Sequence, residues 1–328
     1  MDAVVRRIAE TVLYEGHVLW PYRRSALKNR ERWTFGRLYP EAHRAEGDAS
    51  ALQMEALLEA NGPARLRVIV RFLQIVTRQA MVNGQPVDAL EVGGRRYVTW
   101  DETTEREIAM APFLAGGAPA GRRFRVPAGR DQEDVLDRRR IPAGTLVRTW
   151  QELHGNVEAR TEPVADGLFR LVVRVSNTTP WSDGGEDRLL ASTFLSTHLV
   201  AAAEDGSFVS LQDPPEALRH AAVSCQNVNT WPVLVGDPDD RSTLLAAPIV
   251  LYDHPQIAPE SPGDFFDATE IDQMLVLNVL ALTDEERREM AASDPRARAI
   301  AERCAALSVD EFMRLHGAIR DPRPLEEG

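Results

Sequence analysis

ARLRVIVRFLQIV, residues 64–76, is the stretch from which the fold is read. Leu66, Val68, Val70 and Phe72 alternate with Arg65, Arg67, Ile69 and Arg71. A period of two puts each set on its own face of an extended chain, which predicts a half-buried strand with a charged outer face. LFRLVVRVSNTTP, residues 168–180, repeats the theme, FRLVVRVS standing beside RLRVIVRF. The likeness predicts two β-hairpins of one sheet or sandwich. Each run follows a turn signal, Asn61-Gly62-Pro63 for the first and Asp166-Gly167 for the second. Ala51–Ala60 is the weaker partner ahead of the first turn and also fits a helix. Residues 145–165 supply the partner ahead of the second, with His154 read as a strand-edge histidine rather than a catalyst.

Working outward, residues 88–100 and 106–114 read as further strands around the Gly93-Gly94 turn, and the Gly-, Pro- and Arg-rich residues 115–144 as a long loop. Arg188–His198 reads as a helix leading into a strand, followed by a hairpin across Asp205-Gly206. Asp213-Pro214-Pro215 starts a short helix through Ala222, Trp231-Pro232 opens a strand, and Ala246–Tyr252 is a buried strand. Residues 2–14 carry an apolar stripe of Val4, Val5, Ile8, Val12 and Leu13 at helical spacing. Near the other end, Asp264 is a helix N-cap and Thr283–Glu286 (TDEE) a capping box for a helix over 284–293. Asp294-Pro295 opens a helix to about Leu307, and Ser308–Glu311 is a second capping box. The expected class is α+β: antiparallel sheet or sandwich through the first two-thirds, with a helical C-terminal part packed on it. The expected division is 1–48 (helix plus an aromatic, Arg-rich wrapping segment), 49–263 (β-rich body) and 264–328 (helical part), with no clear linker between them.

The chain has 328 residues, 44% of them hydrophobic, enough to bury a core. Its formal net charge of −12 argues against a nucleic-acid footprint. The charge is segregated: +5 over residues 1–150, −8 over 151–249 and −9 over 250–328. Lys28 is the only lysine, so nearly every cation is a guanidinium able to form forked bonds to oxyanions. Cys225 and Cys304 lack CxxC or Cys/His spacing, which argues against a disulfide framework or a zinc finger. No stretch approaches the ~18 apolar residues of a membrane span, and the first residues lack a signal-peptide pattern, so the expectation is a cytoplasmic protein with no membrane insertion.

Chemistry-bearing residues concentrate after the apolar run at 246–252. A Pro-rich elbow with Pro255, Pro259 and Pro262 holds Asp253, His254, Glu260, Asp264, Asp267, Glu270 and Asp272. Asp253, His254, Glu260 and Asp264 offer oxygen ligands and one imidazole, a set suited to iron, manganese or zinc if the elbow folds inward. The competing reading is helix capping, in which carboxylates satisfy free N–H groups and complement the dipole. Cys225, beside Asn227 and Asn229, is a candidate nucleophile if His254 or His198 serves as its base. Residues 17–40 interleave Trp20, Tyr22, Trp33, Phe35 and Tyr39 with Arg23, Arg24 and further cations. Given the acidic total, protein contact is the preferred reading of that segment, with Trp20, Tyr22, Arg23, Arg24 and Trp33 as contact residues. No GxSxG, Walker loop, GxGxxG or HExxH occurs.

PYRRSALKNRERWTFGRLYP, CQNVNTWPVLVG, PIVLYDHPQIAPESPGDFFDATEID, LTDEERREM and DPRARAIAERC together resemble an uncharacterised protein family associated with nickel–iron hydrogenase gene clusters. The likeness spans most of the chain. That family has no assigned activity or catalytic residues to carry over. The resemblance implies a non-catalytic accessory role in assembly, maturation or docking of a hydrogenase, with a hydrogenase subunit or maturation factor as partner and no cofactor. The alternative is a metal- or cysteine-dependent enzyme.

Overall fold

The computed structural model describes residues 2–14, 35–43, 45–182, 184–256, 276, 278–293 and 295–308. It is an α+β protein built on two antiparallel sheets. The first has five strands in the order β14 (Ser207–Phe208), β1 (Ala51–Glu59), β12 (Leu168–Asn177), β11 (Leu153–Ala165), β8 (Ala120–Val126). The second runs β15 (Trp231–Leu234), β16 (Thr243–Ala247), β13 (Leu195–Glu204), β2 (Arg65–Val82), β10 (Pro142–Trp150), β9 (Gly129–Leu136). β3 (Gln85–Val87), β6 (Trp100–Ala109) and β7 (Phe113–Leu114) also pair with β2, and β4 (Ala89–Val92) with β5 (Arg95–Val98) forms a separate hairpin.

β2 organises the molecule. Its 18 residues extend for about 60 Å at a strand's usual rise. β13 and then β10 take one of its edges, while β7, β6 and β3 take the other. The alternation seen in sequence explains its first half. Leu66, Val68, Val70 and Phe72 are fully buried and meet Leu52, Met54, Ala56 and Leu58 of β1 and Leu171, Val173 and Val175 of β12 in the main core. Phe72 stacks on Phe194 with centroids 4.3 Å apart, and Phe124 packs at 6.1 and 5.8 Å from the two rings. Full burial of one such side chain contributes about 1.5–3 kcal/mol.

The opposite face of the second sheet is covered by α1 (Ala3–Tyr14). Val5, Ile8, Ala9 and Val12 pack on Val200, Val233, Val235, Leu245 and Ala247, and Leu13 and Tyr14 on Leu73, Ile75 and Leu195. Shorter helices follow: α2 (Glu186–Ala191), α3 (Arg219–Val223), α4 (Asp284–Ser293) and α5 (Pro295–Ala306). The Thr283–Glu286 capping box is formed, Glu286 N–H donating to Thr283 Oγ1 at 3.3 Å and Thr283 N–H to Glu286 Oε2 at 2.9 Å. Val276, Val279, Leu282, Met290, Ala297, Ile300 and Cys304 make a satellite core of these terminal helices.

Several expectations are corrected. Ala51–Glu59 is the expected strand, with the helical option excluded, but it does not form the expected hairpin with β2. It pairs with β12 and β14, and Asn61-Gly62-Pro63 carries the chain across to the facing sheet. The two look-alike strands therefore lie in opposite layers. Residues 145–165 are likewise split at Gln151, β10 in one sheet and β11 in the other. Residues 115–144 are not a long loop: β8 and β9 lie there, with Phe124, Val126 and Val135 as their buried residues. Turn-forming flanks and arginines masked so sparse an alternation. The chain at Asp205-Gly206 does not close a hairpin, because β14 pairs with β1 instead of β13. The strand expected over 246–252 ends at Ala247. His154 lies in an interior strand, opposite Arg125 of β8, rather than at an edge.

Candidate functional site

Among the elbow residues, Asp253 and His254 are described; Glu260, Asp264, Asp267, Glu270 and Asp272 lie outside the described residues, as do Trp20, Tyr22, Arg23, Arg24 and Trp33. β15 is the edge strand of the second sheet. The N–H and C=O of its last residue, Leu234, are taken by the elbow: Leu234 N–H donates to Asp253 Oδ1 at 2.7 Å, and His254 N–H donates to Leu234 O at 2.7 Å. Two residues earlier stands Pro232, which has no N–H to offer. The second oxygen of Asp253 accepts the Ser210 hydroxyl, and the same Ser210 oxygen accepts the N–H of Asp213 at 2.9 Å. Asp253 N–H donates to Gln212 Oε1 at 3.2 Å, and Gln212 returns a bond to Leu251 O at 2.6 Å. His254 holds a left-handed backbone with φ of 53°, and its Nδ1 lies 3.4 Å from Gly236 O. Asp253 and His254 thus form a clasp over a sheet edge that would otherwise be open to another strand.

The clasp fixes the strap leading into it. Ile249 and Leu251 pack inward on the α1 cluster, while Val250 and Tyr252 alternate outward, 71% and 85% exposed. Trp231, which opens β15, is 46% exposed.

Cys225 follows α3. Its thiol points back to Ala221 O at 3.7 Å. Burial pushes its pKa up; the Arg170 charge opposes that shift and Glu55 reinforces it. No histidine figures among these influences. The neighbouring residues dock the segment on β1: Asn227 and Glu55 exchange bonds at 2.8 and 3.2 Å, Gln226 N–H donates to Glu55 Oε2 at 2.9 Å, and Val228 bridges to Gln53. Asn229, at a φ of 58°, donates to Ala51 O. The polar residues around Cys225 dock this segment on β1 through a single isolated bridge, and burial favours the protonated thiol.

Sequence reasoning missed a charged network on β2. Arg71, 2% exposed, donates through Nη2 to Glu105 Oε2 at 3.1 Å and lies 3.7 Å from Glu107. The Tyr14 hydroxyl donates to Glu105 Oε1 at 2.6 Å, and Arg296 of α5 stacks on the Tyr14 ring at 3.6 Å. Directly across from Arg71 is His198, fully buried. Burial lowers its pKa to about 4; the bond of its Nδ1 to Ser196 O works against that, and the Arg71 charge adds to it. Among the described residues, the Nε2 of His198, Nη1 of Arg71 and Oγ1 of Thr197 are buried without hydrogen-bond partners. Further along β2, Arg78 donates to Glu102 at 2.6 Å, to Val98 O at 3.1 Å and to Ala292 O of α4 at 3.2 Å. Arg148 joins Glu102 to Glu133. The signal available in sequence was two arginines, Arg71 and Arg78, inside a long apolar strand, against an acid-rich partner strand, WDETTEREIA. The network ties α1, the long sheet and the terminal helices together.

Among the described residues no group of three or more His, Cys, Asp or Glu side chains is placed to hold a metal, and no helix is long and apolar enough to cross a membrane. No family model matches the chain, and no curated protein matches it.

Proposed function

We propose that this is a non-catalytic accessory protein that acts by docking on another protein. A subunit or maturation factor of a nickel–iron hydrogenase is the partner that the sequence resemblance implies. The observation that carries the reading is the strap: Val250 and Tyr252 are held outward by a hydrogen-bonded clasp. Such large, fixed, solvent-facing apolar groups are what an interface centre uses. Docking here buries the tyrosine body and leaves its hydroxyl to find a polar partner. The last quarter of the chain, residues 250–328, is acidic, so the matching partner face is basic. Trp20, Tyr22, Arg23, Arg24 and Trp33 belong to the proposal as a second contact region.

The test is co-elution of the full chain with purified hydrogenase subunits and maturation factors, beside the double variant Val250→Ser, Tyr252→Ser. Both substitutions are at exposed positions and leave the core intact. Binding by the native chain that weakens at least about tenfold in the variant supports the reading. Absence of any complex overturns it. Stoichiometric metal in the purified protein, lost on His254→Ala, would instead establish the enzymatic alternative.

A further inference from the structure

A second feature of the molecule is independent of the strap. The β4–β5 hairpin faces α4 and α5 across a cleft of about 440 Å³. Arg95 and Arg96 from the hairpin, Arg288 from α4 and Arg298 from α5 line it, with Glu91 and Glu285 at the same walls. None of these four arginines makes an ion pair with a carboxylate among the described residues. Their existing contacts are of other kinds. Arg95 lies over the Tyr97 ring at 4.8 Å, Arg288 Nε donates to Asp284 O at 3.1 Å, and Arg298 Nε donates to Ala291 O at 3.1 Å. Glu91 stands opposite Arg96 in the hairpin register. Cations near the carbonyl end of α4 complement its dipole, which accounts for Arg298 and for the bond from Arg78 to Ala292 O. It does not account for Arg95, Arg96 and Arg288 converging on the same space.

The like charges act on one another. Arg298 has its pKa lowered, first by burial and then by the Arg95 charge, with Glu302 and Tyr97 opposing and Arg78 adding to the effect. On the neighbouring nine-stranded sheet three arginines are matched: Arg71 with Glu105, and Arg78 and Arg148 with Glu102. In a chain of net charge −12, acidic side chains are plentiful, yet this cleft keeps an excess of guanidinium. A concave site lined by four guanidinium forks against two carboxylates, Glu91 and Glu285, keeps spare N–H donors and a positive excess, and suits an oxyanion of multiple charge.

We infer that the cleft between the β4–β5 hairpin and helices α4 and α5 is a binding site for a small phosphorylated ligand, its phosphate oxygens taken by Arg95, Arg96 and Arg288. A cleft of this size admits a phosphate chain with a modest organic group and is too confined for a folded protein surface. Arg298, already bonded to Ala291 O, acts as a positioning residue that keeps the wall positive.

Titration calorimetry on the full chain tests this, with inorganic pyrophosphate in one arm and adenosine triphosphate in a second. The native chain takes up one equivalent of at least one of them. Arg96→Ala and Arg288→Ala, both outside the packed core, each weaken binding about tenfold or more, the loss expected for one charged hydrogen-bond donor. Val250→Ser, on the separate strap, leaves binding unchanged. Uptake of pyrophosphate alone assigns the site to the phosphate chain; preference for the nucleotide adds recognition of the organic group. No heat in either arm overturns the inference. So does equal binding by the native chain and the arginine variants, or binding of poly-glutamate in preference to both phosphates, which would make the cleft a docking site for an acidic protein segment.

Discussion

RVIVRF at 67–72 and RLVVRV at 170–175 are nearly the same hexapeptide, and the protein uses them differently. Both form interior strands whose apolar residues enter the common core from opposite sheets. The outer face separates them. α1 covers that side of β2 and glutamates of β6 stand beside Arg71, so its guanidinium is nearly dry and ion-paired. Arg174, the matching residue of β12, is exposed. The same arginine is a buried tie in one layer and a solvated surface residue in the other. What decides is the neighbour supplied from elsewhere in the chain, a property that no local pattern encodes.

The largest effect that would break this comparison is expected at the matched core position. Phe72→Ala loses the stack on Phe194 and costs about 4 kcal/mol, whereas Val175→Ala costs about 2 kcal/mol. Urea unfolding of both variants measures the gap, and equal losses would show that the aromatic cluster is not the stronger half of the core.

Acid comes next. His198, the cross-strand neighbour of Arg71, has a folded pKa of about 4 against an ordinary 6.5. Below pH 6.5 the unfolded chain binds a proton that the folded protein refuses, so its contribution is complete above pH 6.5 and is lost as the pH falls. The loss accumulates to about 3 kcal/mol by pH 4. The stability difference between the native chain and His198→Asn, followed across this range, isolates the histidine from the carboxylates; a difference that does not vary with pH would refute its neutral burial.

Smaller still is the arginine comparison itself. Arg71→Ala is expected to cost about 2 kcal/mol, through the lost stem packing and the bond to Glu105. Arg71→Met restores the stem and recovers most of that loss, since Glu105 and Glu107 can turn to water. Arg174→Ala stays within about 0.5 kcal/mol, as surface changes usually do. If Arg174→Ala matched Arg71→Ala in chemical denaturation, the two layers would be energetically alike after all.

Strands with dense alternation were legible in the sequence: 65–82 and 168–177 carry their class on their face, and the helix at 3–14 and the capping box at 283–286 carry theirs. Partners were not. Asn61-Gly62-Pro63 has the composition of a hairpin turn, yet Leu52, Met54 and Leu58 face β2 across the core instead of lying beside it. The two strands β8 and β9 of the 115–144 region hide because each carries mostly exposed, charged residues around one or two buried ones. Asp253 and His254 read in sequence as candidate metal ligands or caps, and the structure places both at a sheet edge, bonded to Leu234. The arginine cleft was invisible because hairpin and helices lie some 190 residues apart, and only the dipeptide Arg95-Arg96 marked its place.

One geometric fact reaches beyond any single side chain. Because β2 runs unbroken from the space between the layers into the region where Arg78 grips α4, the two ends of the molecule share a common spine. Neither end can melt while the other persists without tearing that spine from its neighbours on both edges. Calorimetry of the whole chain should therefore record a single endotherm for the body built on β2.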